Sequence, residues 1–363
     1  MREDFLNRKL EERKTANLFR QLKHGMGEVD FCSNDYLGIA TSNLLDVLVK
    51  DGREKNYGST GSRLISGNYA LIEEVEKELS AFHAAETGLL FNSGYDANLG
   101  LLSSVPQRGD TVLYDQLSHA SIRDGVRLSL AASHSFRHND MEDLEKKLSL
   151  ASGNVFVVTE SVFSMDGDKA PLTEISLLCD NNHAMLIVDE AHATGVVGDR
   201  GEGLVQEQGL EKKCFARIHT FGKAVGCHGA IVLGSSVLRE YLVNFSRPFI
   251  YTTALPAAAV AAIRSSYKQF PGMMMERKKL QSLVKLFRSG ANGLNILESD
   301  TPIQAVMIEG NEAVRKAAGR CQDNGFDVRP ILYPTVPKGG ERLRIVLHTF
   351  NSVEEIRELI RVL

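Results

Sequence analysis

The chain has 363 residues, 43% of them hydrophobic and 24% charged, with a formal net charge of −4. That balance fits a folded chain with a large core, and the length allows two domains, or one large and one small. With no basic stripe or polybasic tail, neither nucleic acid nor an anionic membrane is expected as a partner. The longest apolar run, Ala254 to Ile263, contains Pro256 and is about half of a membrane span. Met1-Arg2-Glu3-Asp4-Phe5 is charged and lacks the apolar centre of a secretory signal. The five cysteines, Cys32, Cys179, Cys214, Cys227 and Cys321, form no CxxC pair. They read as reduced cytoplasmic thiols rather than as a disulfide frame or zinc site.

Residues 4 to 24 carry a helical period in Phe5, Leu6, Leu10, Leu18, Phe19 and Leu22, with Arg20 expected on the solvated face. A short strand at Val29 then breaks into the polar turn Ser33-Asn34-Asp35-Tyr36-Leu37-Gly38. Asn34 there either bonds to local backbone or meets a ligand. Gly58 to Asn68 is rich in glycine and hydroxyls but lacks the GxxxxGK[ST] phosphate loop. Asn68 is a plausible cap for a helix that places Leu71, Ile72, Val75, Leu79 and Phe82 on one face. A strand at 88–91 turns through Asn92-Ser93-Gly94-Tyr95 into a helix at 96–104. Such a turn is either a plain connection or an anion site made of backbone N–H groups at a helix start.

Thr111 to Asp115 reads as a strand, and Ser118-His119-Ala120-Ser121 opens a helix. His119 is either a capping residue or an aromatic plate over a ring. A strand at 155–159 ends at Glu160. The loop Ser161 to Asp168, containing Ser164, and a helix at 172–181 follow. Strand–helix alternation over roughly 85–240 predicts an α/β domain: a mostly parallel sheet covered on both faces. Ligands of such sheets bind beyond the carboxyl ends of the strands. From Ile250 a long helical region reaches about Ser289, with a break near Pro271-Gly272. Strands at 303–308, 327–332 and 342–347 with helices at 313–324 and 353–363 predict a smaller α+β unit. The expected division is 1–40 as an N-terminal arm, 41–250 as the large domain, 251–289 as a helical connection and 290–363 as the small domain.

Two stretches carry the chemistry. Ala184 to Val188 is a buried-strand pattern ending in Asp189-Glu190-Ala191-His192. Downstream, Thr220-Phe221-Gly222-Lys223 sets a lysine among small residues at the end of another strand. Glycines nearby let the backbone approach a ligand closely. A lysine that forms an imine, an acid that keeps a pyridine nitrogen protonated and a histidine that orients the ring are what pyridoxal 5'-phosphate needs. Two rivals fail on the sequence. Asp-Glu-Ala-His is also a helicase box, but no phosphate loop precedes it. His134 and His138 have metal-pair spacing, yet no ligand cluster or HExxH joins them, and a surface helix or loop is expected there.

With these residues in place, the chain resembles the α-oxoamine synthases almost from end to end. The matching segments are Ser33 to Gly38, Ser118 to Ser121, Thr159 to Asp168, Asp189 to His192, Thr220 to Lys223 and Tyr333-Pro334-Thr335-Val336-Pro337. The resemblance implies fold type I of the pyridoxal-phosphate-dependent transferases, like aspartate aminotransferase, with a seven-stranded sheet. It implies decarboxylating condensation of an amino acid with an acyl-CoA or acyl-carrier-protein thioester. It implies Lys223 as the Schiff-base lysine, Asp189 on the ring nitrogen, His192 on the ring hydroxyl and His119 stacked on the ring. Ser164 would help fix the ring oxygen. Thr220 and the amides of Gly94 and Tyr95 would hold the phosphate. Thr252 and Thr253 would reach the phosphate of a neighbouring subunit, giving a homodimer with shared sites. Asn34 and Arg344 would seat the amino-acid carboxylate, with Arg20 and Thr335 also at substrate-contacting positions. Arg63 would face the acyl chain, in a loop that varies between members. An aminotransferase of the same fold remains the alternative outside the family.

Overall fold

A computed structural model describes residues 2–16, 18–22, 25, 27–42, 45 and 57–363. The large unit is a seven-stranded sheet in the order β2-β8-β7-β6-β5-β3-β4. A short strand outside this sheet, β1 (Val29–Asp30), comes first; the sheet strands in chain order are β2 (Thr87–Phe91), β3 (Thr111–Asp115), β4 (Ala132–Phe136), β5 (Val155–Glu160), β6 (Met185–Asp189), β7 (Cys214–Thr220) and β8 (Ala230–Gly234). Only β8 runs against its neighbours, β2 and β7. The other pairings in this sheet are parallel, as the alternation predicts.

Both faces of the sheet are covered, and strand periodicity assigns each side chain to one of two cores. On β6, Leu186 and Val188 enter one core and Ile187 the other. On β5, Phe156 and Val158 share the core of Ile187, as do Ala216 and Ile218 on β7. By the period of two, Glu160, Asp189 and Thr220 point into that same layer, at the carboxyl ends of their strands. The helix Gly94–Ser104 lies in this layer, burying Ala97, Leu101 and Leu102 there. The fold thus delivers three polar side chains to one end of one face.

The C-terminal unit holds β9 (Ile303–Met307), β10 (Phe326–Asp327), β11 (Arg329–Ile331) and β12 (Arg342–Val346). β11, β12 and β9 form an antiparallel sheet, while β10 pairs with β1. Helix Asn311–Asp323 packs here, and helix Val353–Val362 begins with a capping box between Ser352 and Glu355. Leu343, Ile345 and Ile356 belong to the same continuous core as Leu186 and Val188, so the unit is not separately packed. Helices Ala257–Gln269 and Met274–Gly290, joined by a short 3-10 turn at Phe270–Gly272, form the connection.

Several local expectations need correction. The first helix is Asp4–Thr15 and buries no residue; Phe19 and Leu22 beyond it are exposed. Its apolar stripe has no partner face within the described residues. Tyr69, not Asn68, occupies the cap of helix Ala70–Phe82, and its side chain makes no capping bond to the helix start. Asn68 instead accepts from Arg63 and donates to Glu73. Strand β4, Ala-Ser-His-Ser-Phe, is an exposed edge with a single buried residue, so it carries no hydrophobic period. Among the described residues, no helix is long and apolar enough to cross a membrane.

Candidate active site

A cavity of about 280 Å³ opens at the carboxyl end of the sheet. Asn34, Gly94, Tyr95, His119, Asp189, His192, Thr220 and Lys223 all line it, although they span most of the large unit. Lys223 follows β7 and directs Nζ to His192 Nε2 at 2.8 Å. Burial pushes its amine down to about 8, against the pull of the Asp189 and Glu160 carboxylates. Burial also holds His192 well below the ordinary imidazole range, with the nearby positive charges of Lys223 and Arg344 adding to the effect. The histidine is therefore a neutral ring at physiological pH.

Asp189 is fixed at both oxygens. Asn98 Nδ2 donates to Oδ2 at 2.7 Å, and the Ala191 amide donates to Oδ1 at 2.9 Å. His119 caps helix Ala120–Leu128, accepting from the Ser121 amide at Nδ1. Its own amide donates to Glu160 Oε1 at 2.6 Å. It is both a cap and a ring at the cavity wall. Glu160 is fully buried, and burial, with Asp189 beside it, pushes its carboxyl up to about 8.

The phosphate end is a helix start. Ser93 caps helix Gly94–Ser104 and accepts from the Asp96 amide. A Cβ on Gly94 would stand 2.4 Å from Thr220 Cγ2, so only glycine leaves this cradle open. Thr220 Oγ1 and Asn98 Oδ1 are buried without a protein partner among the described residues. Buried polar atoms are normally bonded. A donor-rich anion cradle, unanswered polar atoms, a fixed carboxylate and a low-pKa lysine together fit pyridoxal phosphate.

The substrate residues divide. Arg344, on β12, donates from Nη2 to Asn34 Oδ1 at 2.9 Å and from Nε to the Ser164 carbonyl at 2.7 Å. This joins Asn34, Ser164 and Arg344, although Ser164 meets the arginine through its backbone and does not line the cavity. Arg20 and Thr335 are exposed and do not line it either. Arg63 turns inward: its guanidinium pairs with buried Glu76 at 2.6 Å and with Asn68, so it locks its loop to the core instead of facing an acyl chain. Thr252 Oγ1 accepts from Asn92 Nδ2 at 3.0 Å, and Thr253 is exposed.

His134 and His138 form no metal pair. His134 lies on the exposed edge strand, and both His138 nitrogens meet carboxylates: Asp115 at 3.0 Å and Asp168 at 2.7 Å. Sequence reasoning missed Tyr36, Asn98, Ser121 and Glu160 as site residues. Asn98 had a signal, a lone amide on a helix face otherwise made of Ala97, Leu101 and Leu102.

The site and sheet define an enzyme class: the chain belongs to the aminotransferase class I and II family, which matches residues 27–363. Within that class it is similar to 8-amino-7-oxononanoate synthases. The one from Emericella nidulans is 43% identical, covering 92% of this chain and 88% of that protein. The one from Marinobacter nauticus is 40% identical, covering 98% and 94%. Among solved structures, the serine palmitoyltransferase of S. paucimobilis with bound PLP superposes with a TM-score of 0.88. It is 30% identical over 99% of this chain and 96% of that one. The architecture is fold type I of the pyridoxal-phosphate enzymes.

Proposed function

We propose that the chain condenses L-alanine with a pimeloyl thioester to give 8-amino-7-oxononanoate, CO2 and the free thiol, using pyridoxal phosphate. The observation that carries the chemistry is the convergence of Lys223, Asp189 and His192 on one cavity with an anion cradle at Gly94. The choice of substrates rests on the relatives named 8-amino-7-oxononanoate synthase, which stand at higher identity than the serine palmitoyltransferase.

Lys223, Asp189 and His192 would hold the ring end, and Thr220 with the Gly94 and Tyr95 amides the phosphate. When bound, the cofactor supplies an electron sink that makes the substrate Cα proton acidic and lets a carboxylate leave as CO2. Asp189, held by Asn98 and Ala191, keeps a proton on the ring nitrogen. Lys223, with its amine near pH 8, takes the Cα proton and later returns one. Arg344 and Asn34 seat the amino-acid carboxylate, the guanidinium offering a bidentate fork. His119 covers the ring from the wall. Ser164 serves by anchoring Arg344.

A homodimer with shared sites completes the reading. Thr252 and Thr253 do not cap the following helix, which starts at Ala257 behind Pro256 with no side-chain cap. Tyr95, Leu128, Leu130, Phe245 and Tyr251 are large and exposed. All five cysteines are free, as a reducing cytoplasm would leave them. In support of the proposed division at residues 40, 250 and 289, the seven-stranded sheet lies within 87–234, the connecting helices within 257–290 and the C-terminal antiparallel sheet within 303–346.

The decisive assay is CoA release from pimeloyl-CoA with L-alanine, run beside glycine with acetyl-CoA or succinyl-CoA and serine with palmitoyl-CoA. The alanine–pimeloyl pair should give the highest kcat/KM. A higher value for any other pair overturns the substrate choice, and transamination of a 2-oxo acid without thioester would overturn the reaction class. Borohydride reduction and peptide mapping should place the cofactor on Lys223.

A further inference from the structure

A hydrogen-bond chain runs out of the cavity from Lys223. His192 Nε2 faces Lys223 Nζ at 2.8 Å, and His192 Nδ1 faces the Tyr36 hydroxyl at 2.6 Å. The same hydroxyl lies 3.2 Å from Asn34 Oδ1, which also accepts from Arg344 at 2.9 Å. Tyr36 is fully buried, and burial pushes its phenol up to about 12 despite the opposing charge of Arg344. It therefore stays protonated and has one hydrogen to give. Two acceptors compete for it.

Which acceptor wins depends on Lys223. As an ammonium, Lys223 donates to Nε2; the neutral imidazole then carries its hydrogen on Nδ1 and donates it to Tyr36. Tyr36 in turn donates to Asn34, and every donor is matched. As a free amine, Lys223 can accept from Nε2–H. His192 Nδ1 is then an acceptor and captures the Tyr36 hydrogen, leaving Asn34 Oδ1 to Arg344 alone. The charged groups facing the pair are Asp189, Glu160 and Arg344 around Lys223, and Lys223, Arg344 and His119 around His192.

We propose that Tyr36 is a positioning residue that couples the proton at Lys223 to the Asn34–Arg344 seat through the tautomer of His192. The inference rests on the proposed seating of the amino-acid carboxylate at Arg344. A carboxylate there draws on Arg344 and shifts the tautomer; reciprocally, the tautomer shifts carboxylate affinity by the same factor. The substrate carboxylate would thus bias the proton on Lys223 whenever that amine is free.

The test uses the full chain freed of cofactor, with histidine nitrogens labelled, and follows His192 Nδ1 and Nε2 by NMR as pH crosses the lysine midpoint near 8. Propionate, a carboxylate with no amino group to react, is the probe. In the wild type the tautomer should switch at that midpoint, and saturating propionate should move the switch upward by a few tenths of a pH unit or more. Tyr36→Phe keeps the ring and removes the hydroxyl; the shift should fall below about half. Asn34→Ala, which cuts the next link, should reduce it likewise, so the proposal stands or falls even if one variant misfolds. A shift that survives undiminished in both variants is through-space charge and overturns the coupling, as does a wild-type switch that propionate does not move. In the holoenzyme, Tyr36→Phe should raise the amino-acid KM about tenfold, the effect of one lost hydrogen bond, with the thioester KM unchanged. An enzyme selective for another amino acid would fail the alanine assay yet keep the NMR shift.

Discussion

At the scale of single residues, the site is a set of charges whose positions the backbone has fixed in advance. Asp189 receives one bond from Asn98 and one from its own turn, so its carboxylate is held in one orientation at the cavity wall, as the proposed role on the ring nitrogen needs. Asp189→Asn should cut turnover by about 10³ or more, because a neutral ring is a poor sink and a loss of about 4 kcal/mol is a thousandfold. Near-normal kcat in that variant would contradict the role. Lys223 gives a second prediction. In the role proposed for it, its amine would add to the cofactor aldehyde only when deprotonated, and burial pushes that amine down to about 8. Covalent uptake of cofactor, followed by stopped flow, should therefore rise with pH and level off above about 8. Asp189 raises the lysine pKa, so Asp189→Asn should move that midpoint lower; a midpoint near an ordinary lysine would refute the desolvated amine.

At the scale of elements, loops are tied to the sheet by partly buried ion pairs. His138, just beyond β4, bridges Asp115 at the end of β3 and Asp168 in the loop that carries Ser164. Burial opposes its charge, but the two carboxylates outweigh burial and push the imidazole up to about 9. The folded value lies above the unfolded one, so this stability is fully present below about pH 6.5 and lost as pH rises through 9. With the side chain 20% exposed, we expect His138→Ala to cost about 2 kcal/mol in urea unfolding at neutral pH. The cost should shrink above the folded pKa; a cost independent of pH would assign the loss to packing.

Elements also show what the sequence could convey. β5 and β6 were legible because buried parallel strands are runs of apolar residues that end abruptly in polar ones, whereas β7 is interrupted by Arg217 and His219. Lys223, Asp189 and His192 follow such ends, and their residue types match one cofactor. β4 was illegible because an exposed edge has no core to record. The helix expected at 4–24 forms over Asp4–Thr15 but buries no residue, for the opposite reason. An amphipathic period shows that a face wants burial, not that a partner exists. Tyr36 and Glu160 were missed because their roles depend on register and on contacts across more than a hundred residues of chain: Glu160 lies opposite Asp189 on β6, and Tyr36 meets His192.

At the scale of the whole molecule, the question is whether one chain makes a complete site. The cavity wall contains Lys223, Asp189 and the Gly94 cradle, but Thr252 and Thr253 do not line it. They cap no helix, and Thr253 is exposed. A pair of hydroxyls held just before a helix, next to the exposed Tyr251, is suited to reaching a second copy. The two possibilities differ in a mixing experiment. Lys223→Ala removes the lysine of a site; Thr252→Ala with Thr253→Ala removes the hydroxyls that, with shared sites, would be donated to the neighbour's site. Each variant alone should be inactive or nearly so. In a hybrid dimer, the lysine of the second chain meets the threonines of the first, so one of two sites is intact. With random equal mixing, half the dimers are hybrid, and activity should recover to about a quarter of wild type. If each site is built within one chain, every site in the mixture still carries a defect and activity stays at the baseline of the separate variants. Sedimentation of the wild type as a fully active monomer at assay concentration would refute shared sites without any mixing.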